Sequence, residues 1–149
     1  MALRTLISLA FGAMLVFPVG ASAQQAVAEQ AKKAAEAAEA EAKKNSWHVA
    51  IAVVSGEGNL IYLGRVGAPS SDSDDVATRS ATSAAAGLRR AQEALAVHPQ
   101  ARPSLALSAS SDAGMPLFAD GKMIGAIGCS GATVPQNLVA CRVGAVAIR

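Results

Sequence analysis

The sequence predicts an α+β domain: a five-stranded antiparallel sheet flanked by helices, forming a single domain after an N-terminal signal peptide. Three observations lead there. An Ala/Glu/Lys-rich stretch at residues 24–44 carries a helical stripe. A β-branched apolar run at 47–54 is followed by a Ser-Gly-Glu-Gly turn and a second apolar run at 59–65. Near the C-terminus an Asp-Gly pair separates two more apolar runs, the composition of a tight hairpin.

Residues 1–23 precede the domain. Arg4 gives a positive start, residues 6–17 are an uncharged apolar stretch, and Pro18 and Gly20 break it. Ala21-Ser22-Ala23 then matches the small-x-small cleavage rule, so this segment reads as a secretory signal with cleavage after Ala23. An apolar run of about a dozen residues is too short for a membrane span, which needs about 20. The expected location is the periplasm or the exterior, and the expected mature domain covers 24–149.

Within the domain, Val27, Ala31, Ala34 and Ala38 follow a 3.6-residue period. Three opposite-charge pairs, Glu29/Lys33, Lys32/Glu36 and Glu39/Lys43, stand four apart and support a solvated helix. After the first hairpin comes a loop rich in Pro, Ser and Asp at 67–75, in which Ser71 or Ser73 is placed to cap the next helix. That helix is expected over 74–97, with Gly87 as the place where it would break, and His98-Pro99 and Pro103 end it. Residues 104–111 alternate polar and apolar, a strand pattern. Residues 115–119 and 122–129 form the hairpin around Asp120-Gly121, and a last helix starts at Pro135. Strands joined by tight turns make the sheet antiparallel.

Composition excludes some functions. The full-chain net charge is +2; removing Arg4, the one charged residue of the signal, leaves +1. Nucleic-acid binding needs a clustered basic surface and commonly a stacking platform. Here the aromatics after residue 23 are Trp47, Tyr62 and Phe118 alone. Cys129 and Cys141 are the two cysteines, and an exported chain permits either a disulfide or two buried thiols. A zinc site lacks a neighbouring histidine partner. The acids Asp72, Asp74 and Asp75 lack the alternating ligands and distal acid of a calcium loop and suit a helix N-terminus. No Gly-x-Ser-x-Gly elbow is present.

Three stretches carry a family resemblance: VAIAVVSGEGNLIYLGRVGAPSS at 49–71, ATRSATSAA at 77–85 and GMPLFADGKMIGAIGCSGAT at 114–133. Together they resemble the GlcG/HbpS-like haem-binding family, also found as the C-terminal domain of PduO-type proteins. The resemblance implies a five-stranded sheet, homo-oligomeric assembly and binding of haem or a related tetrapyrrole. It also implies a role either in haem degradation or as an extracellular partner of a membrane sensor protein. Arg65, Gly67 and Ala68 match the Arg-x-Gly-Ala end of the family's hairpin, while Arg79 and Thr82 stand where members often carry Lys and Thr. Three places depart from the family: Ser55 replaces an aspartate, Asn59 a histidine, and Gln136-Asn137 an acidic pair.

Candidate site residues follow from haem chemistry. Iron takes His, Met, Cys or Tyr as axial ligands. His48 and His98 are the histidine candidates and Met115 a thioether candidate for the pocket, whereas Met123 and Tyr62 read as strand packing. Arg65 and Arg79 are the candidates for the two haem propionates, because arginine binds carboxylates bidentately. Thr82 offers a hydroxyl or a small packing surface. The expected function is an exported, non-catalytic haem carrier or sensor module. The alternatives are a ligand-free structural or signalling module and a haem-degrading enzyme.

Overall fold

The structure, a computed structural model, describes residues 19–97 and 114–148. The element order is α1 (Val19–Lys44), β1 (Val49–Ser55), β2 (Leu60–Val66), α2 (Ser73–Val97), β3 (Gly114–Ala119), β4 (Lys122–Ser130) and α3 (Val134–Ala147). The four strands form one antiparallel sheet in the order β2-β1-β4-β3. Among the described residues the sheet therefore has four strands rather than five. The fifth expected strand, 104–111, lies outside the described residues, as does His98.

The helices sandwich the sheet. On one face lie α1 and α3; on the other lies α2, which covers β1, β4 and β3 but hardly reaches β2. Strand β1 is central and apolar along its length because both of its faces are covered. Its alternation sorts side chains by size. Val49, Ile51 and Val53 join Ile127, Cys129 and Leu117 in the larger core beneath α1 and α3. Ala50, Ala52 and Val54 face the α2 side with Ala77, Ala81, Ala84, Ala85 and Ala126.

Small residues on the α2 face let backbone approach backbone. A Cβ on Gly128 would overlap the carbonyl oxygen of Ala77, and one on Gly114 would overlap that of Ser80. α2 runs unbroken through Gly87. A helical glycine costs about 1 kcal/mol, set here against the burial of Ala77, Ala81, Ala84 and Ala85 on the sheet. On the other face the alanine stripe predicted for α1 is buried: Ala31, Ala34, Ala38 and also Ala35 and Ala42. α3 crosses α1 closely at Gly144, next to Ala34 and Ala38. The Asp120-Gly121 turn is as expected, both residues having positive φ (50° and 74°), the backbone of a two-residue hairpin.

α3 is tied to the sheet covalently. Cys129 of β4 and Cys141 of α3 form a disulfide with their Cα atoms 5.8 Å apart, both residues buried. The larger core thus fills the layer between one face of the sheet and the paired helices α1 and α3.

Candidate functional site

At one end of the sheet, where β1 begins and β2 and β4 finish, most of the recognisable motif residues converge. Ala50 pairs with both Arg65 and Ser130 there. His48 precedes β1, and its Nδ1 accepts a hydrogen bond from the Ala68 N–H at 2.9 Å. Gly67, at φ +67°, packs against the His48 ring so closely that a side chain would collide with it. The Arg-x-Gly-Ala sequence is thus a turn fitted to an imidazole. With Nδ1 accepting, a neutral His48 carries its proton on Nε2. A metal-bound imidazole has the opposite arrangement, its second nitrogen donating to a neighbour. In this geometry His48 fastens a turn.

Arg65 is also engaged. Its Nε donates to Asp74 Oδ1 and Oδ2 at 2.9 and 3.0 Å, and its Nη2 to Oδ2 at 2.6 Å. This fork ties β2 to the first turn of α2 and pushes the Arg65 pKa up from its ordinary value, the hydrogen bonds to Asp74 being the main cause. The next turn is held by Ser70 and Ser73, whose hydroxyls lie 2.7 Å apart. Asp72 is held below the usual carboxylate range, first by a hydrogen bond from Ser70 and more weakly by the charge of Arg79. At the start of α3, Thr133 N–H donates to Gln136 Oε1. The Asn137 side chain clamps Ala132 from both sides: its Oδ1 accepts from Ala132 N–H at 3.2 Å and its Nδ2 donates to Ala132 O at 3.1 Å. A shallow hollow of about 410 Å³ beside Trp47, His48 and Thr133 is what remains open.

The remaining predicted residues are dispersed. Arg79 lies two residues from each of the sheet-facing Ala77 and Ala81, which puts it on the outer side of α2, exposed. Thr82 donates its hydroxyl to Thr78 O at 2.9 Å, and its methyl stands 3.4 Å from where a Gly58 side chain would begin. Met115 pairs with Ile127 and packs on the core beneath α1 and α3. The structure does not bring Arg65, Arg79, His48, Thr82 and Met115 into one pocket.

The opposite end of the sheet is open. The tip of the β1–β2 hairpin is built on Ser55, whose hydroxyl accepts from the N–H groups of Glu57 and Asn59 at 3.3 and 3.2 Å. Beside it lies a cleft of about 560 Å³. Val27 and Ala28 of α1 form one wall; Ile61, Met123 and Ile124 form the apolar floor; Glu57, Asn59 and Lys122 supply polar groups at the rim. Arg89 reaches the same tip from α2, its Nη1 donating to Gly56 O at 3.4 Å. Small-molecule sites fall in this size range and share this make-up, apolar walls with a few polar groups. Sequence reasoning placed Met123 in the core and passed over Lys122 and Arg89. The usable signal was the pair of residues directly after the hairpin glycine, a cation and a thioether at a strand start.

Among the described residues no group of three or more His, Cys, Asp and Glu side chains is arranged to hold a metal ion. No described helix is long and apolar enough to cross a membrane.

These features define a small α+β domain whose helices sandwich a sheet, dense at one end and carrying an amphipathic cleft at the other. Residues 27–145 match the family described as "Haem degrading protein HbpS-like", and the chain belongs to that family. It is similar in structure to HbpS, with 29% identity over 82% of this chain and 89% of that one at a TM-score of 0.62. It is also similar to a doubly Glu→Asp-substituted HbpS from Streptomyces reticuli, with 25% identity over 100% and 99% of the two chains and a TM-score of 0.62. The haem complex of PduOC shares the fold at 23% identity, over 81% and 93% of the two chains, with a TM-score of 0.62. A comparison with curated protein sequences found no match.

Proposed function

We propose that this protein is an exported haem- or tetrapyrrole-binding protein, acting as a carrier or sensor module, and that it takes its ligand at the hairpin-tip cleft. Membership of the HbpS-like family over residues 27–145 is the observation that carries the reading. The cleft suits the ligand: its floor is apolar, its volume is about 560 Å³, and Lys122 stands at its rim with Arg89 on the other side of the tip. Lys122 is the cation placed to partner a propionate there, while Arg89 is bonded to Gly56 O from the α2 face of the sheet. Bound haem would supply redox-active iron. The chain's own residues would exclude water from one face of the macrocycle and hold its carboxylates.

Export is supported by the N-terminal charge, apolar run and Ala-Ser-Ala site, and by a disulfide, which persists in oxidising compartments. Homo-oligomerisation is supported by Leu60 and Leu63, 51% and 41% exposed on the edge strand β2. A membrane sensor protein is the further partner this reading allows. The family's description favours haem degradation as the second reading.

Hemin titration of the purified protein, followed in the Soret band, tests the proposal. A saturable, stoichiometric shift is expected; weak non-saturable absorbance would contradict it. Incubation of the complex with a reductant or peroxide separates the two readings. Retained haem supports a carrier, and consumption beyond that of free hemin supports an enzyme.

A further inference from the structure

The export signal ends at the wall of the cleft. Gln24 lines the cleft together with Val27 and Ala28. These residues stand three and four apart on α1 and so share one face of the helix. The bond between Ala23 and Gln24 is the one at which the signal is expected to be cut. In the full chain α1 begins at Val19 and runs through that bond, so residue 24 carries an ordinary amide nitrogen inside the helix. Hydrolysis by a signal peptidase adds water across the bond, leaving a carboxyl on Ala23 and an amine on Gln24. A residue of the cleft wall then becomes the first residue of the mature protein.

An unperturbed α-amino group titrates at about 8 and is mostly charged at pH 7. A second cation thereby joins Lys122 around a floor of Ile61, Met123 and Ile124. Residues 24–27 read Gln-Gln-Ala-Val and offer it no acid. Among the described residues Glu57 is the one carboxylate of the lining, and its Oε2 accepts from Asn59 Nδ2 at 3.4 Å. Two cations against one acid, over an apolar floor, suit a ligand with an apolar body and carboxylates at its edge.

We propose that signal cleavage completes this binding site: the Gln24 α-ammonium of the mature protein, together with Lys122, binds a carboxylate of the ligand. The proposal rests on the export and haem- or tetrapyrrole-binding reading above and makes no demand on the iron. Full affinity then belongs to the processed, exported protein, and the precursor is a weaker binder.

The residue type supplies the test. In an N-terminal glutamine the α-amine can attack the side-chain Cδ; a lactam C–N bond forms, ammonia leaves, and the terminus loses its charge. Gln24→Ala keeps a free amine that cannot cyclise. Intact mass of the purified exported protein shows whether it starts at Gln24. Wild type and Gln24→Ala, each with and without glutaminyl cyclase treatment, are titrated with hemin and with hemin dimethyl ester, whose propionates are masked. Circular dichroism confirms that all are folded. Cyclisation is expected to weaken hemin binding by about two- to fivefold, the scale of a partly exposed ion pair. It should leave ester binding unchanged, and cyclase treatment should not affect Gln24→Ala. If the exported wild type arrives already cyclised, Gln24→Ala is the free-amine comparison and should bind hemin tighter by the same factor. Equal hemin affinity of free and cyclised termini, an equal loss with the ester, or a mature chain that starts elsewhere would each overturn the proposal and leave haem binding standing. Absence of saturable hemin binding by wild type would overturn the haem reading and the proposal with it.

Discussion

The two ends of the sheet are built on opposite terms. At the end where β1 starts, nearly every polar group has a partner inside the protein: His48 with Ala68, Arg65 with Asp74, Ser70 with Ser73, Asn137 with Ala132. At the hairpin-tip end, Ser55 organises the turn and the groups around the cleft point outward with few internal commitments. The residues that make the sequence recognisable sit mostly at the first end. They are fixed by the close fit of turns and helix starts, and a ligand there would have to displace those bonds. The difference teaches that a family signature can be a signature of packing, with the binding surface lying among residues that attract no notice.

One way to break the dense end is to add a single carbon. Gly128→Ala places a methyl against the Ala77 carbonyl, and α2 has to move away from the sheet. Overpacking of this kind costs about 1–3 kcal/mol or more, read as a lowered midpoint in denaturant unfolding. Opening the Cys129–Cys141 disulfide, by Cys→Ala at both positions, frees α3 from β4 across a separation of 12 residues. A loss of about 2–4 kcal/mol is expected, with the cleft unaffected. Asn137→Asp removes the one donor to Ala132 O and sets a carboxylate against it. A loss of about 1–3 kcal/mol is expected at neutral pH. Part of it returns in acid, where the protonated acid can donate again, and urea unfolding at two pH values reads both.

Gentler changes sharpen the contrast. Tyr62 has a raised pKa, about 12 against an ordinary 10.0, so its neutral form is the one the fold stabilises. The stability it contributes is complete below pH 10, where the unfolded phenol is still protonated, and is lost as pH rises from about 10 through about 12. Ultraviolet titration of the phenolate should show Glu39→Gln shifting that transition back toward the ordinary value. Arg65→Ala loses an exposed fork to Asp74 and should give the smallest loss of stability of the set, smaller still in high salt.

Much of the fold was legible in sequence. The alanine stripe of α1, the all-apolar β1 and the Asp-Gly turn declare themselves because each follows from one local rule: helical period, double-sided burial, positive φ. Gly87 misled because its local cost is set against the burial of alanines along the same helix. The candidate site was far less legible. Arg65 looks like a carboxylate binder and is one, but its carboxylate is Asp74 from α2, a pairing no spacing reveals. Thr82 spends its hydroxyl on its own helix. The departures from the family pattern also separate only in three dimensions. Ser55 still accepts from turn amides and lines the cleft together with Asn59, while Asn137, at the other end of the sheet, holds a loop that an acid could not hold in the same way. Lys122, Met123 and Arg89 become neighbours of one hairpin tip through strand pairing and the length of α2, and neither is written in the residues themselves.

The central claim is that the ligand binds at the open end and that the motif end serves the fold. Hemin titration of Lys122→Glu beside Arg65→Ala tests it most directly, since both residues are exposed cations and both changes leave the core intact. The account predicts weakened binding in Lys122→Glu, where a like charge faces the propionates, and wild-type binding in Arg65→Ala. Weakened binding in Arg65→Ala with an unaffected Lys122→Glu would contradict it and return the site to the end where the motif residues gather.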